Sequence, residues 1–174
     1  PEIIVYTKEK QEVIMKQKTF LMLKPDAFAS GHAQAVLKEL RSHGLVIEKS
    51  CTLSVTMDVM KTLIDHYAGV IDSMSKDFNF PGKLFNSFYY DGPHTIMPME
   101  VSYEGSEDII TLTRTLAGKT NPQEAGADTI RGKYSDDSYE KASAAVRLVN
   151  NVIHASDSHE NAQRELDIWK AYIK

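Results

Sequence analysis

Cysteine is nearly absent from this chain, since Cys51 is the only one among its 174 residues. A single thiol cannot form an internal disulfide, and Cys51 lies in an apolar, β-like run where a buried, inert thiol is expected. Apolar runs are also short, and none approaches the ~20 residues that a transmembrane helix needs. No signal peptide is recognisable at the start. These features predict a cytoplasmic protein in a reducing compartment, without a membrane partner.

An excess of positive charge is lacking as well. The chain has 20 Lys and Arg residues against 24 Asp and Glu residues, which gives a net charge of −4 at pH 7. Proteins that bind nucleic acid through their overall charge are usually basic, so no nucleic-acid partner is expected. A local basic site for phosphates is compatible with this balance. The length suits one domain with a full hydrophobic core.

Apolar periodicity alternates between strand-like and helix-like segments along the chain. It predicts strands at residues 19–23, 45–55, 96–103 and 152–153, with helices between them and after the last one. This β-α-β-(α)-β-α-β order is typical of a split βαβ fold of the α+β class. We therefore expect a four-stranded antiparallel sheet with helices on one face. Residues 18–174 would form this single domain, and residues 1–17 would be an N-terminal extension in which residues 3–6 could add a strand.

Proline, glycine and acidic residues mark the breaks and helix starts between these elements. Pro81-Gly82 and a second Pro-Gly cluster predict a loop-rich section over residues 68–93. Pro98 predicts that the third strand starts irregularly or lies at a sheet edge. Asp157 and Glu160 form a capping-box pattern at the start of the last helix.

The most informative segment is Asn151-Val152-Ile153-His154-Ala155-Ser156-Asp157-Ser158, which ends a short strand and begins a helix. Anions bind at helix N-termini because free backbone N–H groups and the helix dipole favour negative charge there. Histidine can also act as a nucleophile that carries a phosphoryl group. A solvated or structurally hydrogen-bonded histidine is the commoner case for such a position taken alone. His154 is nevertheless a candidate for phosphorylation.

Four further motifs supply groups that can bind phosphates. They are Lys24-Pro25-Asp26, Arg114 in the last turns of its helix, Thr120-Asn121-Pro122 and Thr129-Ile130-Arg131-Gly132. Each one alone is more simply interpreted as a solvated charge or a turn. Together with the histidine they provide a lysine, two guanidinium groups, a hydroxyl and a nucleophile. That set suits transfer of the terminal group of a polyphosphate to nitrogen, a reaction that relies on positioning and charge stabilisation.

These five motifs, in this order and at this spacing, make residues 18 to about 170 similar to the nucleoside diphosphate kinases. Glu160, Glu165 and Trp169 continue the similarity through the last helix. The resemblance implies a ferredoxin-like fold and a reversible, ping-pong transfer of a γ-phosphoryl group from a nucleoside triphosphate to a diphosphate through phosphorylated His154. It also implies Mg²⁺ as a cofactor, held by the nucleotide phosphates rather than by protein ligands. Finally, it implies a homo-oligomer, a hexamer or a tetramer.

The resemblance also implies roles for individual residues. Besides the nucleophilic histidine, the catalytic set contains Glu165, which accepts a hydrogen bond from one imidazole nitrogen, and Ser156, which supports Glu165. Phe78 or Phe80 would stack on the base. The implied nucleotide-binding set is Lys24, Tyr67, Phe80, Arg114, Thr120, Arg131 and Asn151.

The chain departs from the family pattern close to this site. Ala155 stands where glycine usually follows the histidine, and Lys133 stands where an acidic residue commonly follows Arg131-Gly132. About ten extra residues separate Arg131 from Asn151, in a region where longer loops are tolerated. An alternative hypothesis is therefore a catalytically weak nucleotide-binding or regulatory protein on the same fold. A histidine phosphatase is disfavoured, because no residue supplies a dedicated base for water.

Overall fold

A computed structural model describes residues 4–6 and 13–174 as one sheet covered by helices. The strands are β1 (Ile4–Tyr6), β2 (Val13–Leu23), β3 (Val46–Ser50), β4 (Leu53–Ser54), β5 (Thr95–Gly105) and β6 (Ile153–Ala155). β2 pairs with β5 along one side, and with β1 and β6 at its two ends on the other side. β3 and β4 pair with β5, and all these pairs are antiparallel. The order β6-β2-β5-β3 confirms the predicted split βαβ class, with four strands across the sheet.

Nine α-helices occur within the described residues. They are α1 (Pro25–Ala29), α2 (Ala33–Ser42), α3 (Met57–His66), α4 (Ala68–Ser73), α5 (Phe80–Phe88), α6 (Ile109–Ala117), α7 (Ile130–Tyr134), α8 (Tyr139–Ala144) and α9 (His159–Trp169). Short 3-10 helices lie at Lys76–Phe78 and Pro122–Glu124. In the part of the chain that the structure covers, none of these helices has the length and apolarity of a membrane span.

The helices cover both faces of the sheet, so the prediction of one covered face is wrong. Leu21 and Leu23 of β2 belong to a core cluster with residues of α2 and α6. Phe20 and Met22 belong to a second cluster with residues of α3, α5 and α9. Successive residues of a strand point to opposite faces, so a strand buried on both sides is continuously apolar. This explains the uninterrupted run over residues 19–23.

Three boundaries in the sheet differ from the prediction. β2 begins at Val13, six residues before the predicted strand start at residue 19. The predicted strand 45–55 is divided into β3 and β4 by Cys51 and Thr52. Pro98 lies in the central strand β5 rather than at an edge or an irregular start. The Pro98 carbonyl accepts the N–H of Cys51, so the Pro98 nitrogen also faces the interruption between β3 and β4. None of the described strands is paired there, so the absence of an N–H on Pro98 costs the sheet no interstrand hydrogen bond.

Helix starts explain two further corrections. The section 68–93 holds α4 and α5 and is more helical than predicted, because Pro81 lies in the first turn of α5, where no N–H is needed. The N-cap of α9 is Ser158, whose hydroxyl accepts from the N–H of Asn161 at 3.0 Å. Asp157 accepts instead from the Asn161 side chain, so the predicted capping box does not form.

Candidate active site

The ends of β2 and β6 meet α3 to α9 around a cavity of about 660 Å³. Nine of the ten predicted site residues line this cavity, namely Lys24, Tyr67, Phe80, Arg114, Thr120, Arg131, Asn151, His154 and Glu165. Ser156 is not among the lining residues. The structure therefore brings the five separate motifs together at one end of the sheet.

His154 and Glu165 form a hydrogen-bonded pair at the base of the cavity. His154 is the middle residue of β6 and pairs with Met22 of β2. Its Nε2 lies 2.6 Å from Oε2 of Glu165, a buried residue that α9 returns to the strand. An ionised carboxylate can only accept a hydrogen bond, so Nε2 of His154 carries the proton. The lone pair of the neutral ring is then on Nδ1.

Ser156 does not support Glu165, which corrects the expectation from the resemblance. The register of β6 with β2 carries Ser156 past Ala155 to a position opposite Phe20. There its buried hydroxyl donates to the Phe20 carbonyl at 3.1 Å, and its N–H contacts the same oxygen. The second contact on Glu165 comes instead from His66, whose Nε2 lies 3.2 Å from Oε2.

A strained turn precedes the histidine. Val152 has a φ of +72°, and the N–H of Ile153 donates to the carbonyl of Asn151 at 2.8 Å, which closes a three-residue γ-turn. A β-branched residue in this region costs about 1–3 kcal/mol, so the surroundings must hold it. Asp26 Oδ2 accepts from the Val152 N–H at 2.9 Å, and the Lys24 N–H donates to the Val152 carbonyl at 2.8 Å. The Lys-Pro-Asp motif thus fixes the backbone that presents the nucleophile.

Lys24 is a buried cation at the edge of the cavity. Its Nζ donates to the Val149 carbonyl at 2.9 Å and to Oδ1 of Asn151 at 2.7 Å. The amide nitrogen of Asn151 in turn donates to the Thr120 carbonyl at 3.0 Å, which links three of the sequence motifs. Burial lowers the pKa of Lys24 to about 8, although Asp26 opposes the shift. An ammonium has three N–H donors, so one remains for a ligand.

Arg131 binds three backbone carbonyls near β6 and adds positive charge to the cavity. Its guanidinium donates to the carbonyls of Gly118, Asn151 and Ile153, at 2.9, 3.2 and 2.7 Å. Burial and the neighbouring Arg114 together lower the pKa of Arg131 to about 10. Arg114 and Arg131 both line the cavity, and two neighbouring guanidinium groups in a partly buried space favour the binding of an anion.

Aromatic residues form the wall on the other side. Tyr67 packs edge-on against the His154 ring at 6.2 Å between centroids, and burial raises its pKa. Phe80 is buried in the core and packs on Tyr67 at 5.6 Å. Phe78 is 38% exposed, and the Lys83 ammonium lies 3.6 Å from the centre of its ring. Phe78 therefore presents more ring surface to the cavity than Phe80 does.

Several cavity residues were not predicted from the sequence. Tyr139, Ser143 and Arg147 come from the extra residues between Arg131 and Asn151. No sequence pattern indicated that this segment would turn back onto the cavity. His66 was missed although it shares the buried face of α3 with Val59 and Leu63, at spacings of seven and three residues. That spacing is the signal of a buried imidazole.

His66, His154 and Glu165 offer ligand atoms within 4.8 Å of one another, the kind of group that can hold a metal ion. The hydrogen positions oppose this use. The indole N–H of Trp169 donates to Nδ1 of His66 at 3.0 Å, so the proton of a neutral His66 is on Nε2. A metal at Nε2 would have to displace that proton. The group is therefore a carboxylate that is hydrogen-bonded to His154 and contacted by the N–H edge of His66, rather than a metal centre.

Comparisons with known proteins point to one family. A family profile described as nucleoside diphosphate kinase matches residues 17–171. A nucleoside diphosphate kinase of Methanosphaera stadtmanae is 36% identical over 158 residues, covering 89% of this chain and 86% of that protein. One of Streptococcus pneumoniae is 34% identical over 154 residues, covering 88% and 98%. The solved nucleoside diphosphate kinase of Borrelia burgdorferi, a transition state mimic with bound vanadate and ADP, has a TM-score of 0.77 at 26% identity, covering 91% and 90%.

Proposed function

Because the chain belongs to the nucleoside diphosphate kinase family, we propose that it transfers the γ-phosphoryl group of a nucleoside triphosphate to a nucleoside diphosphate through His154. The kinase domain would extend over residues 18–174. The observation that carries the proposal is the pair of His154 and Glu165 inside a cavity lined by basic residues. With the proton held on Nε2, the lone pair of Nδ1 is the one that reacts.

Two half-reactions balance without any further reagent. In the first, the Nδ1 lone pair of His154 attacks the γ-phosphorus, and the bond to the β,γ-bridging oxygen breaks. That oxygen leaves as a terminal oxygen of the diphosphate. In the second, a terminal oxygen of another diphosphate attacks the phosphorus, and the P–N bond returns its electron pair to Nδ1. Glu165 stabilises the ring while it carries positive charge, as a carboxylate does beside an imidazolium.

The charges of the cavity suit a phosphate chain accompanied by Mg²⁺. Lys24, Arg114 and Arg131 supply positive charge beside His154. The acidic residues among the described lining are Asp157 and Glu165, and Glu165 is hydrogen-bonded to His154 and contacted by Nε2 of His66. This donor set does not form a carboxylate cage, so it fits Mg²⁺ that enters as part of the nucleotide complex. The ion would supply charge neutralisation on the phosphates.

The base would stack at the mouth of the cavity. Phe78 offers an exposed ring there, and stacking without hydrogen bonds to the base edges tolerates every base. We therefore propose low base selectivity, with Phe78 rather than the buried Phe80 as the main contact. The family resemblance further supports a cytoplasmic homo-oligomer, a hexamer or a tetramer. Light scattering after size-exclusion chromatography would measure that number.

The alternative of a regulatory protein with little turnover receives less support. One of its arguments was Ala155, where a methyl group replaces a hydrogen next to His154. Ala155 lies in regular β6 opposite Leu21, and the left-handed residue nearby is Val152 instead. The methyl group therefore imposes no backbone strain at this position.

Labelling with γ-labelled ATP and Mg²⁺, followed by unlabelled GDP, tests the proposed activity. We expect an acid-labile, base-stable phosphoprotein that discharges into GTP. His154→Ala should remove labelling and lower turnover by at least ~10³-fold, because the nucleophile is lost. The exposed His43 provides a control, and His43→Ala should label like the unmodified protein. Label on His154→Ala at the normal rate would refute the mechanism. Label that never discharges into GDP would indicate a different acceptor.

A further inference from the structure

Glu165 is held by two histidines through one of its oxygens. His154 and His66 approach Oε2 with their Nε2 atoms, at 2.6 and 3.2 Å. His66 is 3% exposed and comes from the end of α3, so it reaches the carboxylate from a different element. Its ring lies edge-on to that of His154, with 4.5 Å between centroids. The two imidazoles and the carboxylate therefore form one compact group.

Trp169 fixes the position of the proton on His66. An indole nitrogen can only donate, and Nε1 of Trp169 lies 3.0 Å from Nδ1 of His66. His66 must then carry its proton on Nε2, where it faces Glu165. Burial, with His154 and Arg164 nearby, holds the pKa of His66 well below its usual value, which keeps the ring neutral. Trp169 and Glu165 lie four residues apart on α9 and so face the same way.

We propose that His66 and Trp169 are positioning residues, which hold the Glu165 carboxylate so that His154 keeps its proton on Nε2 and its lone pair on Nδ1. The assignment rests on the proposed phosphoryl transfer through His154. It gives His66 the supporting role that the resemblance implies for Ser156, whose hydroxyl is used by the Phe20 carbonyl. Without His66, the carboxylate would keep one imidazole partner and could rotate in the space left behind.

Two substitutions at His66 separate hydrogen bonding from packing. His66→Leu retains much of the volume and no polar atom. His66→Gln places an amide N–H and a carbonyl oxygen near the two ring nitrogens, so it can still donate to Glu165 and accept from Trp169. Trp169→Phe removes the indole N–H and keeps an aromatic ring. His32→Leu is the matched control, since His32 also packs against an aromatic ring, that of Tyr134, but does not line the cavity.

Two measurements on these variants test the proposal. The first is the ¹⁵N NMR spectrum of the His154 ring, which reports the tautomer directly. The second is the single-turnover rate of phosphoenzyme formation, measured together with KM. In His66→Leu we expect a mixture of His154 tautomers and a rate about 10- to 100-fold lower at nearly constant KM, the loss typical of one hydrogen bond to a charged group. His66→Gln should recover most of the rate, and Trp169→Phe should lose less than His66→Leu.

The outcomes distinguish this proposal from the proposed function. A His154 tautomer that stays unchanged in both His66→Leu and Trp169→Phe would overturn the positioning role, whatever the rate. If His66→Leu does not fold, the proposal is still tested by Trp169→Phe and by the tautomer of the unmodified protein. A proton on Nδ1 of His154 in the unmodified protein would refute the arrangement. An unmodified protein that shows the Nε2 proton but forms no phosphoenzyme would refute the proposed function and leave the positioning chain standing.

Discussion

The two halves of the cavity are built in different ways. The catalytic end consists of Lys24, His66, residues 151–155, Glu165 and Trp169. Its polar side chains are buried, apart from the half-buried His154, and they are bonded to the backbone or to one another. The nucleotide wall consists of residues 68–88 and the inserted segment 135–150. It presents exposed apolar side chains, among them those of Val70, Phe78, Tyr139 and Val146.

This contrast indicates where rigidity is needed. A phosphoryl transfer requires the attacking nitrogen within about 3–3.5 Å of phosphorus and correctly aligned, so the catalytic end is held by many directional bonds. A base bound by stacking tolerates shifts, so the nucleotide wall can offer apolar surface to the ligand. Several bonds of the inserted segment, such as those of Arg147 to Asp137, lie within the segment itself. Substitutions at the catalytic end should therefore lower kcat, whereas those in the nucleotide wall should raise KM.

The largest effect outside the reacting groups is expected at Asp26. Its Oδ2 holds the N–H of Val152 in the γ-turn, and Asp26→Ala would let this turn relax and carry His154 out of position. Because the turn would relax by about 1–3 kcal/mol, returning His154 to the reactive position would cost that much again. The rate of phosphoenzyme formation should therefore be about 10- to 100-fold lower. Asp26→Asn keeps an oxygen that can accept from Val152 and should remain near the normal rate. Rapid-quench labelling measures the rate of phosphoenzyme formation in both variants. Equal rates for Asp26→Ala and Asp26→Asn would contradict the role of the turn.

How much of this could be predicted depends on whether a feature is local. The strand through Phe20 and the motif around His154 are local patterns, so the fold class and the position of His154 at a strand end follow from the sequence. The partner of Glu165 is a long-range feature, because His66 and Glu165 are 99 residues apart and meet only after α3 and α9 pack. The role expected for Ser156 came from the family resemblance, and the strand register places its hydroxyl on the Phe20 carbonyl instead.

The second prediction concerns pH and the buried lysine of the catalytic end. The pKa of Lys24 is about 8 in the folded protein, so its charge is lost as pH rises through 8, and kcat/KM should fall by up to about tenfold per unit above it. This fall in kcat/KM is not caused by unfolding that follows the loss of the Lys24 charge. Between pH 8 and 10.5 the unfolded chain binds the proton and the folded protein does not, so the contribution of Lys24 to stability rises with pH.

Lys24→Gln is the control for this profile. It should be less active at neutral pH because a phosphate contact is lost, and its kcat/KM should not show the fall near pH 8. Steady-state assays at saturating Mg²⁺ across pH 6.5 to 9.5 or so would measure both curves. A profile for Lys24→Gln that falls in parallel with that of the unmodified protein would assign the titration to another group.

The smallest effect is expected where the inserted segment joins α5 in the nucleotide wall. The Asn86 side chain donates to the Val146 carbonyl at 2.6 Å, and Ser87 Oγ accepts from the Leu148 N–H at 2.8 Å. Changing both residues to alanine removes two bonds worth about 1 kcal/mol each, so KM for nucleotides should rise about three- to tenfold at nearly constant kcat. Ser42→Ala, which removes an exposed hydroxyl bonded to a carbonyl within α2, should change neither constant. If kcat fell as much as KM rose, the wall and the catalytic end would be mechanically coupled, because the same segment continues through Val149 to Lys24.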